Sequence, residues 1–440
     1  MDSLTGNLFL HVIESLSRGS EYGTIFKSNW DGSQFKKSLE AVNQNQKGFV
    51  DFEKIEGING TIIANRISNY QELSRGASKM VETKISIDDG ESWSYLAAPT
   101  LDSKSKKFKC SKNCERLHLH AFTERHDKRD AYSSSGAIGL LIGVGNVGEH
   151  LKDFNDGDMF LSRDGGQSWI EIVKEAHMVE IGDHGNIILM VNDEGPVSLF
   201  SYSLDQGLTF IDRDFKDVLG GEKMRIQNII TEPSGTSTSF VLFGKLGNDK
   251  TIALHVDFSH VWNRKCIAST QGEKSDFDSW SIGNQSCIFG AKLEYSRRKT
   301  GSQCFVGDDY TGIQSKTSCE CTTVDYECDV NYFQENGKCV PLPNLSISSP
   351  KCVNGFTYEP TGYVKRKISQ CFGGVDLAPL PVSCGGISSE FALSNLLRWL
   401  GSVVDLDYAY TFTDHSYCFL CIVCLSQWWH GSIWKHPAAS

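Results

Sequence analysis

Cysteine is the residue whose number and spacing say most about chemistry in this sequence. Of 15 cysteines, two stand close together at Cys110 and Cys114, ten fall between Cys266 and Cys384, and three crowd the end at Cys418, Cys421 and Cys424. An even set spread through a turn-rich stretch reads as a disulfide framework, which forms and persists in an oxidising compartment. Three Asn-X-Ser/Thr sequons, at Asn59, Asn284 and Asn344, are glycosylation acceptors that agree with it. Cys418-x-x-Cys421-x-x-Cys424 opens like an iron–sulfur run, but Trp428 stands where the fourth cysteine is needed, so a free-thiol cluster is the simpler reading.

Other patterns carry less. His118 and His120 alternate on an apolar stretch and would face one side, but no third metal ligand can be named, so packing or surface hydrogen bonding is expected. Gly143-x-Gly145-x-x-Gly148 fits a dinucleotide fingerprint only if a helix follows. Glu149 to Gly157 leaves no room for one, so a turn between strands is expected. Arg297-Arg298-Lys299 reads as a solvated basic face, or less readily as a patch for an acidic ligand.

Aspartates recur in a fixed frame. Ser86-x-Asp88-x-Gly90-x-x-Trp93, Ser162-x-Asp164-x-Gly166-x-x-Trp169 and Ser203-x-Asp205-x-Gly207-x-x-Phe210 are three clean copies. Ser28-x-Trp30-x-Gly32-x-x-Phe35 is a degenerate one, with Trp where Asp belongs. The chemistry is that of a hairpin turn: Asp accepts backbone N–H groups, Gly supplies a positive φ, and the aromatic ring folds back as an anchor. This is an Asp-box, and its aspartates read as staples rather than catalytic acids. The 41-residue offset between Ser162 and Ser203 suits one blade of a β-propeller.

The elements around these turns are short apolar or alternating runs, such as Gly60 to Ala64, Ala137 to Val144, Gly185 to Val191 and Ser239 to Gly244, separated by Gly, Asn and Asp. No helical-period segment of useful length intervenes, so a mainly β architecture is expected. At 440 residues the chain is too long for one core. Its formal charge of −11, without a Lys/Arg block, excludes nucleic acid as a natural partner. Nothing in the sequence calls for a cofactor or a metal. The first residues lack a basic leader region, Leu8 to Ile13 is too short for a signal peptide, and Tyr417 to Leu425 is about half a membrane span. A disulfide-rich chain with no entry route reads as a fragment.

Cysteine order decides among the protein classes that carry Asp-boxes. Cys266, Asp278-Ser-Trp280, Cys287-x-x-Gly290, Cys304, Cys319-Glu-Cys321, Asp325-Tyr-Glu-Cys328, Gly337-Lys-Cys339, Cys352, Cys371-x-Gly-Gly374 and Cys384 resemble the ten-cysteine module of the sortilin family of sorting receptors. Cys114 to His120 and Gly143 to Gly148 also resemble that family, and the likeness runs from about residue 20 to 385, nearest to its fungal vacuolar branch. The resemblance implies part of a ten-bladed propeller over 1–262. It implies the two halves of a ten-cysteine module over 263–320 and 321–385. It leaves 386–440, with Trp399, Trp428, Trp429 and Trp434, as a tail matching nothing in the family, read as a frameshift or retained intron. It further implies the pairs Cys110–Cys114, Cys266–Cys304, Cys287–Cys319, Cys321–Cys371, Cys328–Cys339 and Cys352–Cys384, which spacing alone does not select.

The function implied is non-catalytic. It is binding of luminal cargo proteins or propeptides, vacuolar hydrolases above all, for transport from Golgi to endosome or vacuole. The setting would be the lumenal side of a type I membrane protein whose span lies outside this sequence. The family's cargo-anchoring arginine would fall on a blade before Met1. Many of the 12 histidines titrate near endosomal pH, so acid-driven release is an accompanying expectation. Two alternatives stand beside it. A sialidase-type glycosidase needs an arginine cluster and a Tyr/Glu nucleophile or carboxylate pair. The sequence has no Arg-Ile-Pro opening strand and too few residues before the cysteines for six blades. A truncated, non-functional piece of the receptor is the other alternative.

Overall fold

The computed structural model describes residues 5–110, 112–123, 136–192, 194–247, 250–268, 275–285, 287–308, 310, 312–335, 337–343, 352 and 355–384. Two compact units are distinguished, Met1–Ser348 with Pro360–Leu380, and Ser349–Glu359 with Pro381–Ser440. The 386–440 tail, its three cysteines and the Asn344 sequon lie outside the described residues.

The first unit is built from antiparallel meanders of short strands joined by Gly- and Asp-rich turns. It begins with β1 (Phe9–Ser15), β2 (Tyr22–Ser28) and β3 (Phe35–Asn43). The next four are β4 (Phe52–Lys54), β5 (Ile62–Ile67), β6 (Val81–Ser86) and β7 (Ser94–Ala97). Then come β8 (Arg116–Leu119), β9 (Leu141–Val147), β10 (Asp158–Ser162) and β11 (Ile170–Val173). Cross-pairing of β3 with β5 and of β7 with β8 links all eleven into one ladder, with β4 joined at β5. A separate four-stranded sheet follows, β12 (His177–Gly182), β13 (Ile187–Asn192), β14 (Leu199–Ser203) and β15 (Ile211–Asp214), then a three-stranded one, β16 (Met224–Ile230), β17 (Ser239–Leu246) and β18 (Thr251–Asp257).

Apolar faces of consecutive meanders pack on one another, as blades of a propeller do. Phe9, Ile25 and Val42 meet Phe52, Ile62 and Ala64, with Trp93 against them. Ile63 and Ile85 meet Leu117, Leu119, Leu141 and Phe160. Ile142, Met159 and Leu161 meet Ile181, Ile188 and Met190, and Ile187, Leu189 and Val191 meet Met224, Phe240 and Leu242. A strand in the middle of such a stack is buried on both sides, which is why β9 and β13 are nearly continuous apolar runs while β16 and β17 alternate.

Two of the three glycines of the rejected dinucleotide fingerprint, Gly143 and Gly145, lie inside β9 and not in a turn, and Gly148 directly follows the strand. The role of Gly145 is steric, since a Cβ there would overlap the His118 carbonyl oxygen of the paired strand β8.

The cysteine-rich part of the first unit contains β19 (Phe277–Ser281), β20 (Ala291–Arg298) and β21 (Ile313–Ser318) as one sheet. Later in sequence, the first unit has β22 (Tyr326–Cys328), β23 (Tyr332–Glu335), β24 (Lys338–Pro341) and β26 (Tyr363–Lys365), paired β22–β26 and β23–β24, while β25 (Phe356–Glu359) of the second unit pairs with β27 (Leu380–Ser383). Disulfides join Cys266 to Cys304, Cys287 to Cys319, Cys321 to Cys371 and Cys328 to Cys339. The core of the last segment is little more than Cys321, Tyr326 and Cys371, and a segment with so little apolar burial depends on covalent staples. In the second unit, Cys352 is bonded to Cys384. Among the described residues no helix is long and apolar enough to cross a membrane.

Candidate functional site

Each clean Asp-box is the connection between two antiparallel strands, β6–β7, β10–β11 and β14–β15. The three are built alike. Ser86, Ser162 and Ser203 donate through Oγ to Oδ1 of Asp88, Asp164 and Asp205, each at 2.8 Å. The same Oγ atoms accept from the N–H of Gly90, Gly166 and Gly207 at 2.8 to 2.9 Å. Gly90 at φ +77°, Gly166 at +91° and Gly207 at +82° occupy the left-handed region. Trp169 is buried and donates its indole N–H to the Gly166 carbonyl (3.0 Å), while Trp93 donates to Ser38 Oγ (3.2 Å) and Phe210 packs beside Leu161 and Ile188.

One participant was missed by sequence reasoning. Ser92, Ser168 and Thr209 donate their backbone N–H to Oδ1 of the box aspartate, each at 2.9 Å, and their hydroxyl to Oδ2. The signal was a hydroxyl residue before the aromatic in all three copies. With both oxygens engaged, the box carboxylates hold the turn. Burial pushes Asp205 upward, but the bonds from Thr209 and Ser203 outweigh it and hold the carboxyl below its ordinary value. The degenerate copy closes differently: Gln34 N–H donates to Asn29 Oδ1 (3.1 Å), Ser33 N–H donates to Asp31 Oδ1 (3.1 Å), and Phe35 stays exposed.

The positions between the box residues hold the cysteine-rich segment. In the second box, the Arg163 carbonyl accepts from Arg297 Nη1 (2.6 Å), and Gln167 Oε1 accepts from the Gly283 N–H (2.7 Å). In the third, Arg298 is 2% exposed; its guanidinium donates to the carbonyls of Cys304 (2.7 Å) and Leu204 and lies 4.4 Å from the centre of the Trp262 ring. Gln206 bonds both Asn186 and the Arg298 carbonyl, and Arg163 Nη2 donates to Gln206 Oε1 (2.7 Å). Asp183, fully buried, accepts from the Val306 N–H (2.8 Å); burial raises its carboxyl above the ordinary value against that bond. The expectation of a solvated face is therefore corrected for Arg297 and Arg298, while the Lys299 side chain stays partly in solvent. A guanidinium offers five donors in a planar fork, enough to satisfy carbonyls at a seam that excludes water.

The first box meets the second half of the module. Glu91 lies between Lys27 (3.1 Å), Lys36 and Arg366 (2.9 Å), and Lys27, 1% exposed, also pairs with Asp89 (2.9 Å). Burial pushes Glu91 upward, but Arg366, Lys27 and Lys36 together hold it far below the carboxylate range. Beside this cluster opens a cavity of about 680 Å³ between the turns 28–36 and 87–92 and the module residues 323–339. Phe35, Ile87, Tyr332, Phe333 and Tyr363 give it apolar walls; Lys36, Glu91, Glu327 and Arg366 give it charge. Burial raises Glu327 above its ordinary value, opposed by Arg366, Lys27 and Lys36. A concave site with apolar walls and a few convergent charges suits recognition of a side chain or a small organic group.

The remaining candidates are placed as follows. His118 is fully buried, accepts from the Thr83 N–H at Nδ1 (3.0 Å) and donates from Nε2 to the Gly148 carbonyl (3.0 Å). His120 packs edge-on against Phe154, so both histidines are core packing groups. Cys110 is bonded to Cys114 between β7 and β8. Asn59 is exposed in the turn before β5, and Asn284 lies in a 3₁₀ turn, Ile282–Gln285.

Comparison with known proteins bears on this arrangement directly. The family profile described as "Sortilin, neurotensin receptor 3" matches residues 1–229, and its C-terminal companion matches 231–384. A Mycosarcoma maydis protein named vacuolar protein sorting/targeting protein 10 is 40% identical over 391 residues, covering 85% of this chain and 26% of that protein. The protein of the same name from Debaryomyces hansenii is 40% identical over 411 residues, covering 89% and 26%. The chain thus spans about a quarter of the length of the curated relatives it matches. Among solved structures, a protein of unknown function from Dyadobacter fermentans aligns at TM-score 0.28 and 12% identity, covering 69% of this chain and 90% of that one. A Trypanosoma rangeli sialidase aligns at 0.24 and 11%, covering 58% and 44%. Such scores say nothing about fold or activity. Stapled Asp-box turns, a disulfide-bonded module held on them, and identity near 40% across most of the sequence place this chain in the sortilin family.

Proposed function

We propose that this chain is the propeller-and-cysteine-module part of a receptor that binds luminal proteins for delivery from the Golgi toward the endosome and vacuole. One observation carries the reading: 85 to 89% of the chain aligns with proteins named for vacuolar protein sorting and targeting. The residue assignment that goes with it is blades over 1–262 and the module halves over 263–320 and 321–385. Cargo would be luminal hydrolases or their propeptides, with the parent protein a type I membrane receptor. The cavity between the first box and the module supports a binding role, because it gathers aromatic walls and unlike charges at a seam that is otherwise tightly bonded.

The test is direct binding. The 440-residue chain, with disulfides formed, is immobilised and exposed at neutral pH to purified vacuolar hydrolase precursors, with mature hydrolases lacking the propeptide as comparison. Saturable binding of precursors above mature enzymes supports the reading. No binding by chain whose six disulfides are verified by mass spectrometry rejects it for this segment.

A further inference from the structure

The connection between β7 and β8 carries five lysines, Lys104, Lys106, Lys107, Lys109 and Lys112, all exposed. Reading the sequence as free of any Lys/Arg block overlooked them, because Ser105, Phe108 and Cys110 interrupt the run. None of the five is in an ion pair among the described residues. The nearby carboxylates Asp102, Asp158 and Glu171 are taken by Lys174. Glu115 is an exposed carboxylate of the segment itself.

The segment is fastened at several points. Asp102 Oδ1 accepts from the N–H groups of Lys104 (2.9 Å) and Lys106 (2.8 Å). Ser103 donates its N–H and hydroxyl to Glu171 Oε1 (3.1 and 2.8 Å). Phe108 stacks on Phe160 with ring centres 6.4 Å apart. Cys110 is bonded to Cys114, and the Ala98 N–H donates to the Glu115 carbonyl (2.9 Å). Between these anchors, Lys107, Phe108 and Lys109 have no backbone–backbone hydrogen bond among the described residues. Like charges held this close on a fixed backbone repel one another, and on a chain of formal charge −11 they form a local patch of opposite sign.

We propose that residues 104–110 form a binding edge for an extended acidic peptide. Its backbone would pair with the N–H and C=O groups of Lys107 to Lys109, which make no backbone–backbone bond among the described residues, and its carboxylates would meet the lysine ammonium groups. Strand addition to an unpaired backbone gives affinity without sequence, and flanking charges select the ligand. A sulfated glycan or an anionic lipid would satisfy the lysines alone, so the open backbone favours a peptide. This site is separate from the cavity at the first box, and its peptide need not belong to a vacuolar hydrolase.

The experiment uses the 440-residue chain and a fluorescein-labelled peptide of alternating Glu and Val, read by anisotropy at several salt concentrations. The variant Lys104→Gln/Lys107→Gln/Lys109→Gln is compared with Lys216→Gln/Lys223→Gln/Lys292→Gln, which removes equal charge from exposed positions elsewhere. Binding weaker by about tenfold or more in the first variant only, with a shallower salt dependence, is expected. The same peptide N-methylated on alternate residues should also bind about tenfold more weakly. The proposal is overturned if both variants bind like the parent. It is equally overturned if the methylated peptide binds as well as the plain one while a sulfated oligosaccharide displaces both, which would make the patch a general polyanion site. Hydrolase-precursor binding by the triple variant, measured in parallel, keeps this outcome separate from that of the proposed cargo role.

Discussion

Replacing Gly207 by alanine separates the two demands that a box glycine meets. The first is conformational: at φ +82° an L-residue is strained, which costs roughly 1 to 2 kcal/mol. The second is spatial. A Cβ at this position would overlap Cδ1 of Leu161 and approach Cδ1 of Ile188 to 3.2 Å, two side chains of the core between consecutive meanders. Overpacking of this kind costs about 1 to 3 kcal/mol. Gly220 provides the comparison, since it has φ +64° and nothing within 4 Å of the added atom, so only the first cost applies. Gly207→Ala should therefore destabilise by roughly 3 kcal/mol and Gly220→Ala by about 1. Native-state hydrogen exchange reads this locally, and about 3 kcal/mol corresponds to exchange faster by a factor on the order of 100 at the Thr209 amide, which depends on the box. Equal effects of the two substitutions would show that the box turn is only a loop closure and that the approach of Leu161 has no energetic weight.

Three further outcomes are expected. Arg298→Met keeps the stem but leaves the carbonyls of Cys304 and Leu204 without their donor, and should cost about 3 kcal/mol in urea unfolding followed by tryptophan fluorescence. Glu91→Gln removes the counter-charge of Arg366 in a partly solvated cluster and should cost roughly 2 kcal/mol. Because the Glu91 carboxyl is held below its unfolded value, its contribution is complete above about pH 4.3 and is lost only as pH falls through the depressed value. The cost should thus be the same at pH 7 and pH 5, and a loss confined to pH 7 would contradict the assignment. His118 behaves oppositely: burial lowers it to about 4, despite the Gly148 carbonyl, so the fold favours the neutral ring. Stability is then full above about pH 6.5 and declines toward pH 4, by about 2 kcal/mol at pH 5, seen as faster exchange of the Thr83 amide that bonds Nδ1. Unchanged protection at pH 5, after correction for intrinsic rate, would count against it.

How far the sequence went depends on the range of the forces involved. The Ser, Asp and Gly frame of the box is local: each bond of its serine and aspartate closes within four residues, so spacing alone predicts a staple, and the mainly β character follows from apolar runs cut by turns. Even there the hydroxyl partners Ser92, Ser168 and Thr209 were passed over, though their position was visible in all three copies. The cysteine count announced a disulfide framework, while which thiol meets which is a matter of folded distances. Burial of charge was beyond local reading. Arg298 looked like part of a solvated cluster because its neighbours in sequence are basic, and only the fold brings Leu204, 94 residues away, to its guanidinium. Glu91 and Arg366 are 275 residues apart, and nothing in either neighbourhood announces the other. The sequence by itself determined the turns and the strands, since these rest on contacts between near neighbours. Tertiary structure alone decided that variable positions of the boxes carry the cysteine module, because that outcome depends on packing between segments whose proximity no local pattern encodes.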